Sequence, residues 1–337
     1  MDFKEQLREQ LKRRELSDNS INLYLRNLER LNNNKPLKNL TFLSKVDDIK
    51  ERLKDYKENT QRVFLISIVS TLNAVKDSNK RLQKTYKVYY DMMNDLNKHL
   101  REQPTEKKSD TQEENWLSWD EVRDKYNEIA SKVPTDKKEL TEKEYDALLQ
   151  CVIMSLYIEL PPRRNQDYGK MMVVKSITDG MNKDTNYLDL DKKEFVFNVY
   201  KTSKKYGQQV VKIPEKLMET LLLYLKSHPI IRGKISKKTL VPFLVKYDGK
   251  PLDKINSITR VLNRIFKKNI GSSMLRHIYL SGKYDGVLDE QKKDAELMGH
   301  SPDQQRDYIK TDKPLTPSPE NITIKIEKKP NKKNKIS

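Results

Sequence analysis

Residues 103–115 read QPTEKKSDTQEEN and contain no apolar side chain. Such a segment cannot enter a hydrophobic core, so it predicts a flexible linker. The chain has 337 residues, which is enough for a folded domain on either side. We therefore expect a helical domain over 1–102, the linker, a second domain over 116–313, and a basic flexible tail over 314–337.

The composition is strongly basic. The formal net charge is +18 and the isoelectric point is near 9.5, while hydrophobic residues make up 35% of the chain. Lysine and arginine release counterions when they bind phosphates, so this excess favours a nucleic-acid partner. A basic protein whose charge serves only general solubility is the other interpretation.

Cysteine and histidine are scarce. Cys151 is the single cysteine, and the chain has four histidines. A disulfide framework and a cysteine zinc site are excluded within one chain, and a multi-histidine metal centre is not expected. No apolar stretch reaches the roughly 18 residues that span a membrane. We expect an intracellular protein with no metal, no cofactor and no membrane partner.

The first hundred residues show helical periodicity. The stretch 17–31, SDNSINLYLRNLERL, opens with capping residues and continues with apolar residues at helical spacing. The more apolar stretch 59–76 predicts a buried helix, and four or five helices are expected in all. Residues 17–31 and 84–99 are candidates for elements that face a groove of a nucleic acid. The interpretation that they are solvent-exposed faces of a small helical bundle fits equally well.

The second domain mixes helices with a hairpin. Ser118 and Thr141 are predicted helix caps. Residues 194–200 and 208–214 read as strands around the turn KTSKKYG, which predicts a small antiparallel sheet in a mainly α fold. Helices are expected over 215–227, 253–268, 272–282 and 289–298. In the tail, ITIKI could pair with a sheet edge or a neighbouring protomer.

Two stretches place positive charge at rigid corners. In LPPRRNQDY, two prolines end a helix and Arg163 and Arg164 follow, with Asp167 spaced to pair with Arg164. Arginine at such a corner suits phosphate binding, although two solvent-facing arginines would give the same pattern. In YKTSKKYG, Lys201 could neutralise phosphate or donate a proton. Taken alone, a solubilising turn explains that hairpin tip better.

Two further stretches carry groups suited to phosphoryl chemistry. In GSSMLRHIYLSGKY, Arg276 and His277 interrupt the apolar face of a helix, where charge is costly unless it is paired or used. In LMGHSPDQQRDYIK, His300 precedes Tyr308. A tyrosine hydroxyl has a pKa of about 10 and needs nearby positive charge to attack at neutral pH.

Together these four stretches, in this order, resemble the tyrosine recombinase (integrase) family. The resemblance covers most of the chain and implies a helical core-binding domain followed by an α+β catalytic domain. It assigns the family's site residues to Arg164, Lys201, Arg276, His300 and Tyr308, with Arg163 as the competing first arginine. Asp167 would orient Arg164. The variants are similar to integrases of large eukaryotic DNA viruses, virophages and related mobile elements.

Two departures from the family pattern stand out. The first histidine of His-x-x-Arg is replaced by Ser273, which can hydrogen-bond phosphate but cannot shuttle a proton at neutral pH. The spacing from His300 to Tyr308 is one residue shorter than in typical bacterial members. The serine means that proton removal from Tyr308 relies on another group or is less efficient, whereas the shorter spacing is tolerable on a loop-helix segment. His277 is a supporting candidate.

The resemblance implies site-specific DNA recombination or integration without a metal or nucleotide. Tyr308 would attack a scissile phosphate and form a 3′-phosphotyrosyl link, Arg164 and Arg276 would hold the phosphate oxygens, His300 would assist, and Lys201 would protonate the leaving oxygen. The partners would be double-stranded DNA and further copies of the chain, as a tetramer on paired sites. A type IB topoisomerase and a catalytically impaired DNA-binding relative are the alternatives. The site of action, host nucleus or cytoplasmic viral replication site, stays open.

Overall fold

A computed structural model describes residues 2–76, 80–102, 108–135, 137, 139–254, 256–284, 286–287, 290–291, 294, 297–298 and 325–326. The chain divides into two compact units, Met1–Lys108 and Ser109–Ser337. The fold is mainly helical with a small sheet, as expected from the sequence. Among the described residues, no helix is both long and apolar enough to cross a bilayer.

The first unit is a helical bundle. Its helices are α1 (Phe3–Lys12), α2 (Asp18–Leu31), α3 (Val46–Lys54), α4 (Glu58–Val75) and α5 (Lys80–Glu102), with a 3₁₀ turn at Thr41–Ser44. The apolar helix α4 packs against α1, α2, α3 and α5. It occupies the centre because residues on most of its circumference are apolar and lose water contact there.

Local polar contacts set the ends and crossings of these helices. Ser17 caps α2 by accepting a hydrogen bond from the Ser20 amide, as the sequence predicted. Inside the bundle, the Asn27 amide donates to the Ser67 hydroxyl at 2.9 Å, so α2 and α4 meet at a satisfied buried polar pair.

The second unit begins with four helices. They are α6 (Asp110–Asn115), α7 (Trp119–Ala130), α8 (Glu142–Ile158) and α9 (Asn165–Gly169). The predicted caps Ser118 and Thr141 are confirmed, each in a capping box with the glutamate three residues later. Helix α8 is buried along nearly its whole length and forms the centre of the core.

The linker expectation fails in its second part. Residues 110–115 form α6, and Ser109 caps it with Gln112 in a capping box. The Asn115 side chain accepts a hydrogen bond from the Asn269 amide at 2.7 Å, so α6 is fixed to the second unit. Residues 103–107 lie outside the described part of the chain.

The sheet is mixed, whereas an antiparallel sheet was expected. Its strands are β1 (Met172–Val174), β2 (Tyr187–Asp189), β3 (Glu194–Phe197), β4 (Gln209–Lys212) and β5 (Leu240–Pro242). The order is β5-β1-β2-β3-β4, and β1 and β2 are parallel. The sequence showed only the β3–β4 hairpin, whose short connection requires antiparallel strands.

The remaining elements complete the second unit. The hairpin connection contains a short helix, α10 (Ser203–Tyr206), and α11 (Glu215–Ser227), α12 (Ser257–Phe266) and α13 (Ser272–Lys283) follow. In the expected tail, Lys325–Ile326 pairs antiparallel with β4 as a sixth strand, β6, within the predicted ITIKI stretch. The rest of 314–337 lies outside the described residues.

Candidate active site

The two arginines of LPPRRNQDY leave a proline corner in different directions. Helix α8 ends at Ile158, and the prolines that follow cannot continue it. Arg164 is the N-cap residue of α9 and has extended backbone, with φ −75° and ψ 144°. Because the chain turns at this residue, the side chains of Arg163 and Arg164 have different surroundings.

Arg163 is fixed by three contacts. Its Nε donates to Asp167 Oδ2 at 3.0 Å, and its Nη1 donates to Gln209 Oε1 at 2.9 Å. Its guanidinium carbon lies 3.8 Å from the centre of the Phe197 ring. Its side chain is 20% exposed, so it is held in one geometry at the edge of a cavity.

The expected pairing of Asp167 with Arg164 is wrong. Asp167 forms its ion pair with Arg163, and towards Arg164 it donates only a backbone hydrogen bond, from its amide to the carbonyl at 2.9 Å. Helix α9 starts after Arg164, which is its N-cap residue. The side chain of the preceding residue, Arg163, lies over the first turn and reaches Asp167. Burial raises the pKa of Asp167, and the positive charge of Arg163 opposes this rise.

Arg164 and Arg276 form a pair of neighbouring cations. Arg276 projects from α13, and its Nη1 donates to the Arg163 carbonyl and to Ser272 Oγ, both at 3.4 Å. Burial lowers the pKa of Arg276, and the positive charge of Arg164 lowers it further. Within the described part of the chain, no hydrogen-bond acceptor contacts the Arg164 guanidinium. This arrangement favours an anion between the two side chains.

A cavity of about 470 Å³ lies in front of these arginines. Its walls come from the proline corner, the start of α9, the hairpin connection and α13, and the polar lining is formed by Arg163, Arg164, Asp167, Tyr200, Thr202, Tyr206, Gln209 and Arg276. Three arginines face one carboxylate here. The cavity therefore has the size and charge to hold a phosphodiester group.

Lys201 is not among the residues that line this cavity. It is exposed, whereas its neighbours Tyr200 and Thr202 contribute to the wall. The stretch expected to be a simple turn forms α10 and reverses at Gly207, with φ 71°. The helical turn directs Tyr206 towards the arginines.

The serine that contacts the site is Ser272. Ser273, at the position of the family's histidine, is exposed, and so is His277. The expectation that His277 lies close to the core is therefore wrong, because it falls on the outer face of α13. Ser272 is buried, and its Oγ accepts hydrogen bonds from the Asn165 amide and from Arg276.

Asn165 joins the arginine turn to two helices that are distant in sequence, and no local sequence pattern predicts these contacts. Its Oδ1 accepts a hydrogen bond from the buried Tyr157 hydroxyl at 2.5 Å, and its Nδ2 donates to Thr259 Oγ1 at 2.8 Å. With the contact between its backbone amide and Ser272 Oγ, α8, α9, α12 and α13 meet at this one residue. Gln209, which holds Arg163, was missed for the same reason, because its partner is distant in sequence.

His300 and Tyr308 lie outside the described residues. The helix expected over 289–298 is described only in part, and Glu290, Gln291, Asp294 and Leu297 are helical. In the portion of the chain that is described, no cluster of histidine, cysteine, aspartate or glutamate could hold a metal ion.

The comparisons with known proteins add no assignment. No protein-family model, curated protein or solved structure matches this chain.

Proposed function

We propose that this protein is a tyrosine site-specific recombinase that cleaves and rejoins DNA strands through a 3′-phosphotyrosyl intermediate. The observation that carries the proposal is the cation pair Arg164 and Arg276 at one cavity. Two neighbouring arginines at one cavity supply the charge and the hydrogen-bond donors that a phosphate needs. The order of the motifs in the sequence supplies the reaction type.

The reaction requires negative charge on the phosphate to be stabilised while one P–O bond forms and another breaks. Tyr308 Oη forms the new bond to phosphorus, and the 5′-oxygen leaves with a proton as a hydroxyl. Arg164 and Arg276 bind the non-bridging oxygens, whose charge grows in the transition state. The reverse attack by a 5′-hydroxyl of a partner strand rejoins the DNA and frees Tyr308.

The supporting roles differ from those expected from the sequence. Arg163, fixed by Asp167 and Gln209, positions the turn whose carbonyl accepts the hydrogen bond from Arg276. Asp167 thus makes its hydrogen bond with Arg164 through the backbone, and its charge attracts the Arg164 guanidinium without an ion-pair contact. His300 and Lys201 remain proposed proton-transfer groups, and Lys201 has to move from its exposed position to reach the leaving oxygen. The proposed partners are duplex DNA and three further copies of the chain on paired sites.

Covalent trapping tests the proposal. The full chain is incubated without metal with duplexes whose central sequence is randomised and nicked, so that a short 5′-hydroxyl strand diffuses away after cleavage. We expect an adduct that survives denaturing electrophoresis for wild type and none for Tyr308→Phe. Tyr284→Phe is the matched control, because this tyrosine is exposed and does not line the cavity.

Three other results of these assays would each reject part of the proposal. An adduct that persists in Tyr308→Phe would reject this tyrosine as the nucleophile. Binding of duplex without any adduct would reject the enzyme and leave a DNA-binding relative. Relaxation of supercoiled DNA without a requirement for a particular site would instead indicate a topoisomerase.

A further inference from the structure

A second basic cavity lies in the first unit, at the loop that connects α2 to α3. Its volume is about 680 Å³. One carboxylate, Asp48, lines it together with five basic side chains, Lys35, Lys38, Lys45, Arg52 and Arg81. Five positive charges against one negative charge make it strongly attractive to anions.

The loop that carries the lysines is anchored to the core. Leu37, Leu40 and Leu43 are buried, while Lys35 and Lys38 between them are exposed. The apolar side chains fix the backbone, so the lysines are held on the cavity side without a helix or strand. Such preorganisation lowers the entropy lost when a ligand binds.

Local hydrogen bonds stiffen the same loop. The Asn34 amide donates to the Glu29 carbonyl at 2.8 Å, and the Asn32 side chain donates to the Lys35 carbonyl at 3.4 Å. On the opposite wall, Arg52 Nη1 donates to the Leu31 carbonyl at the end of α2. This bond uses one of the five guanidinium N–H groups and sets the orientation of the others.

The charge excess of this cavity is larger than that of the arginine cavity in the second unit, and a further cavity shows almost none. A cavity of similar volume, about 650 Å³, lies beside α8 in the second unit. It is lined by Lys143, Lys246 and Arg264, but Glu142 and Asp146 offset most of their charge. The high net charge of the chain alone therefore does not explain the excess of positive charge in the first unit's cavity.

We propose that this cavity binds a small molecule that carries several adjacent phosphate groups. Its volume is in the range of small-molecule sites, roughly 300–1,000 Å³, and its basic groups surround a concavity. Duplex DNA meets proteins along an extended surface, whereas a compact oligophosphate places several charges within one pocket. This binding is separate from the proposed cleavage reaction in the second unit.

Isothermal titration of the full chain with inorganic tripolyphosphate tests the proposal. The buffer is held at an ionic strength of about 0.15 M so that surface charges are screened. The Arg276→Gln variant is used as the background, because the Arg164–Arg276 cavity is a second candidate anion site, and we expect saturable binding with one site per chain. Lys38→Gln combined with Lys45→Gln should weaken binding by about tenfold or more, because two charge-assisted contacts are lost.

The control removes the same charge from the same unit. Lys87→Gln combined with Lys98→Gln changes two exposed lysines of α5 that do not line the cavity, and it should leave the affinity unchanged. All four lysines are exposed, so both double variants should keep the urea midpoint of the Arg276→Gln background.

Three outcomes would overturn the proposal. The first is that tripolyphosphate does not bind the Arg276→Gln background saturably, and the second is that both double variants weaken its binding equally. The third is that the cavity variant, Lys38→Gln with Lys45→Gln, loses affinity for duplex DNA while tripolyphosphate has no effect on duplex binding. The last result would assign the cavity to the DNA backbone. Adduct formation by the cavity variant is measured in parallel, in the chain that retains Arg276. A failure of the oligophosphate proposal is therefore distinguishable from a failure of the proposed recombinase function.

Discussion

Replacing Arg276 by glutamine should separate stability from function. The guanidinium is partly buried, and both of its hydrogen bonds, to the Arg163 carbonyl and Ser272 Oγ, measure 3.4 Å. We expect Arg276→Gln to change the free energy of unfolding only slightly and to abolish most of the proposed cleavage activity.

The magnitudes follow from the contacts. Both hydrogen bonds exceed the common upper length of about 3.2 Å, so each contributes at the low end of about 0.5–1.5 kcal/mol. Removing the cation also removes its repulsion with Arg164, which lowers the pKa of Arg276 in the folded protein. The two effects oppose each other, and the net change in unfolding free energy should stay within about 1 kcal/mol. Loss of a donor to the developing charge should slow cleavage about 100-fold or more.

Two assays measure the two quantities. Urea unfolding is recorded with and without sulfate, because an anion that binds the folded state stabilises it more when it binds more tightly. Single-turnover adduct formation gives the cleavage rate. Sulfate should stabilise wild type more than Arg276→Gln. The matched control is Arg264→Gln on α12, which removes an exposed arginine of the same unit and should retain both properties.

Two results would refute this reasoning. A loss of more than about 3 kcal/mol in Arg276→Gln would mean that the arginine has a structural role. Equal stabilisation of both proteins by sulfate would mean that no anion binds between Arg164 and Arg276.

Three further variants test the surroundings of the site. Asn165→Ala should lower the free energy of unfolding by about 2–3 kcal/mol, since it leaves the buried Tyr157 hydroxyl without its partner; an unchanged urea midpoint would contradict the hydrogen-bond network. Gly282→Ala should cost about 1 kcal/mol by the same measurement, because the new Cβ would lie 2.8 Å from Trp119 Cβ and overpacking exceeds the gain in helix propensity; stabilisation would reject the close contact. Asp167→Asn tests the pH dependence. Burial raises the pKa of Asp167 above its ordinary 3.8, so the carboxyl of Asp167 holds its proton more tightly in the folded wild type than in the unfolded chain. The folded state therefore loses stability as pH rises from the unfolded to the folded pKa of this carboxyl. The wild-type advantage over Asp167→Asn in urea midpoint should therefore shrink from about pH 4 upward, and an advantage that grows with pH would reverse the sign of the shift.

Features with short-range causes could be predicted from the sequence. The capping boxes at Ser118 and Thr141 join residues three apart, so the residue types alone identify them. Of the four apolar residues whose spacing predicts the buried side of α13, Met274, Leu275 and Ile278 are buried and Tyr279 is half-buried. In each case the helix geometry relates the sequence interval directly to a position in space.

Features with long-range causes could not be predicted. The parallel pairing of β1 with β2 depends on the path of the chain between them, and strands of three residues give no periodic signal. The partner of Asp167 depended on where α9 begins, since one residue of difference selects Arg163 or Arg164. Asn165 and Gln209 gain their roles only from contacts that the fold creates.

The contacts around Asn165 also determine when the site can exist. Its partners Thr259 and Ser272 lie 94 and 107 residues further along the chain, and Arg276 reaches the Arg163 carbonyl across 113 residues. Contacts between such distant residues require most of the unit to be ordered first. During synthesis, the arginine turn is therefore made long before α13 brings Arg276 to it, and a chain without α13 in place lacks the proposed phosphate site.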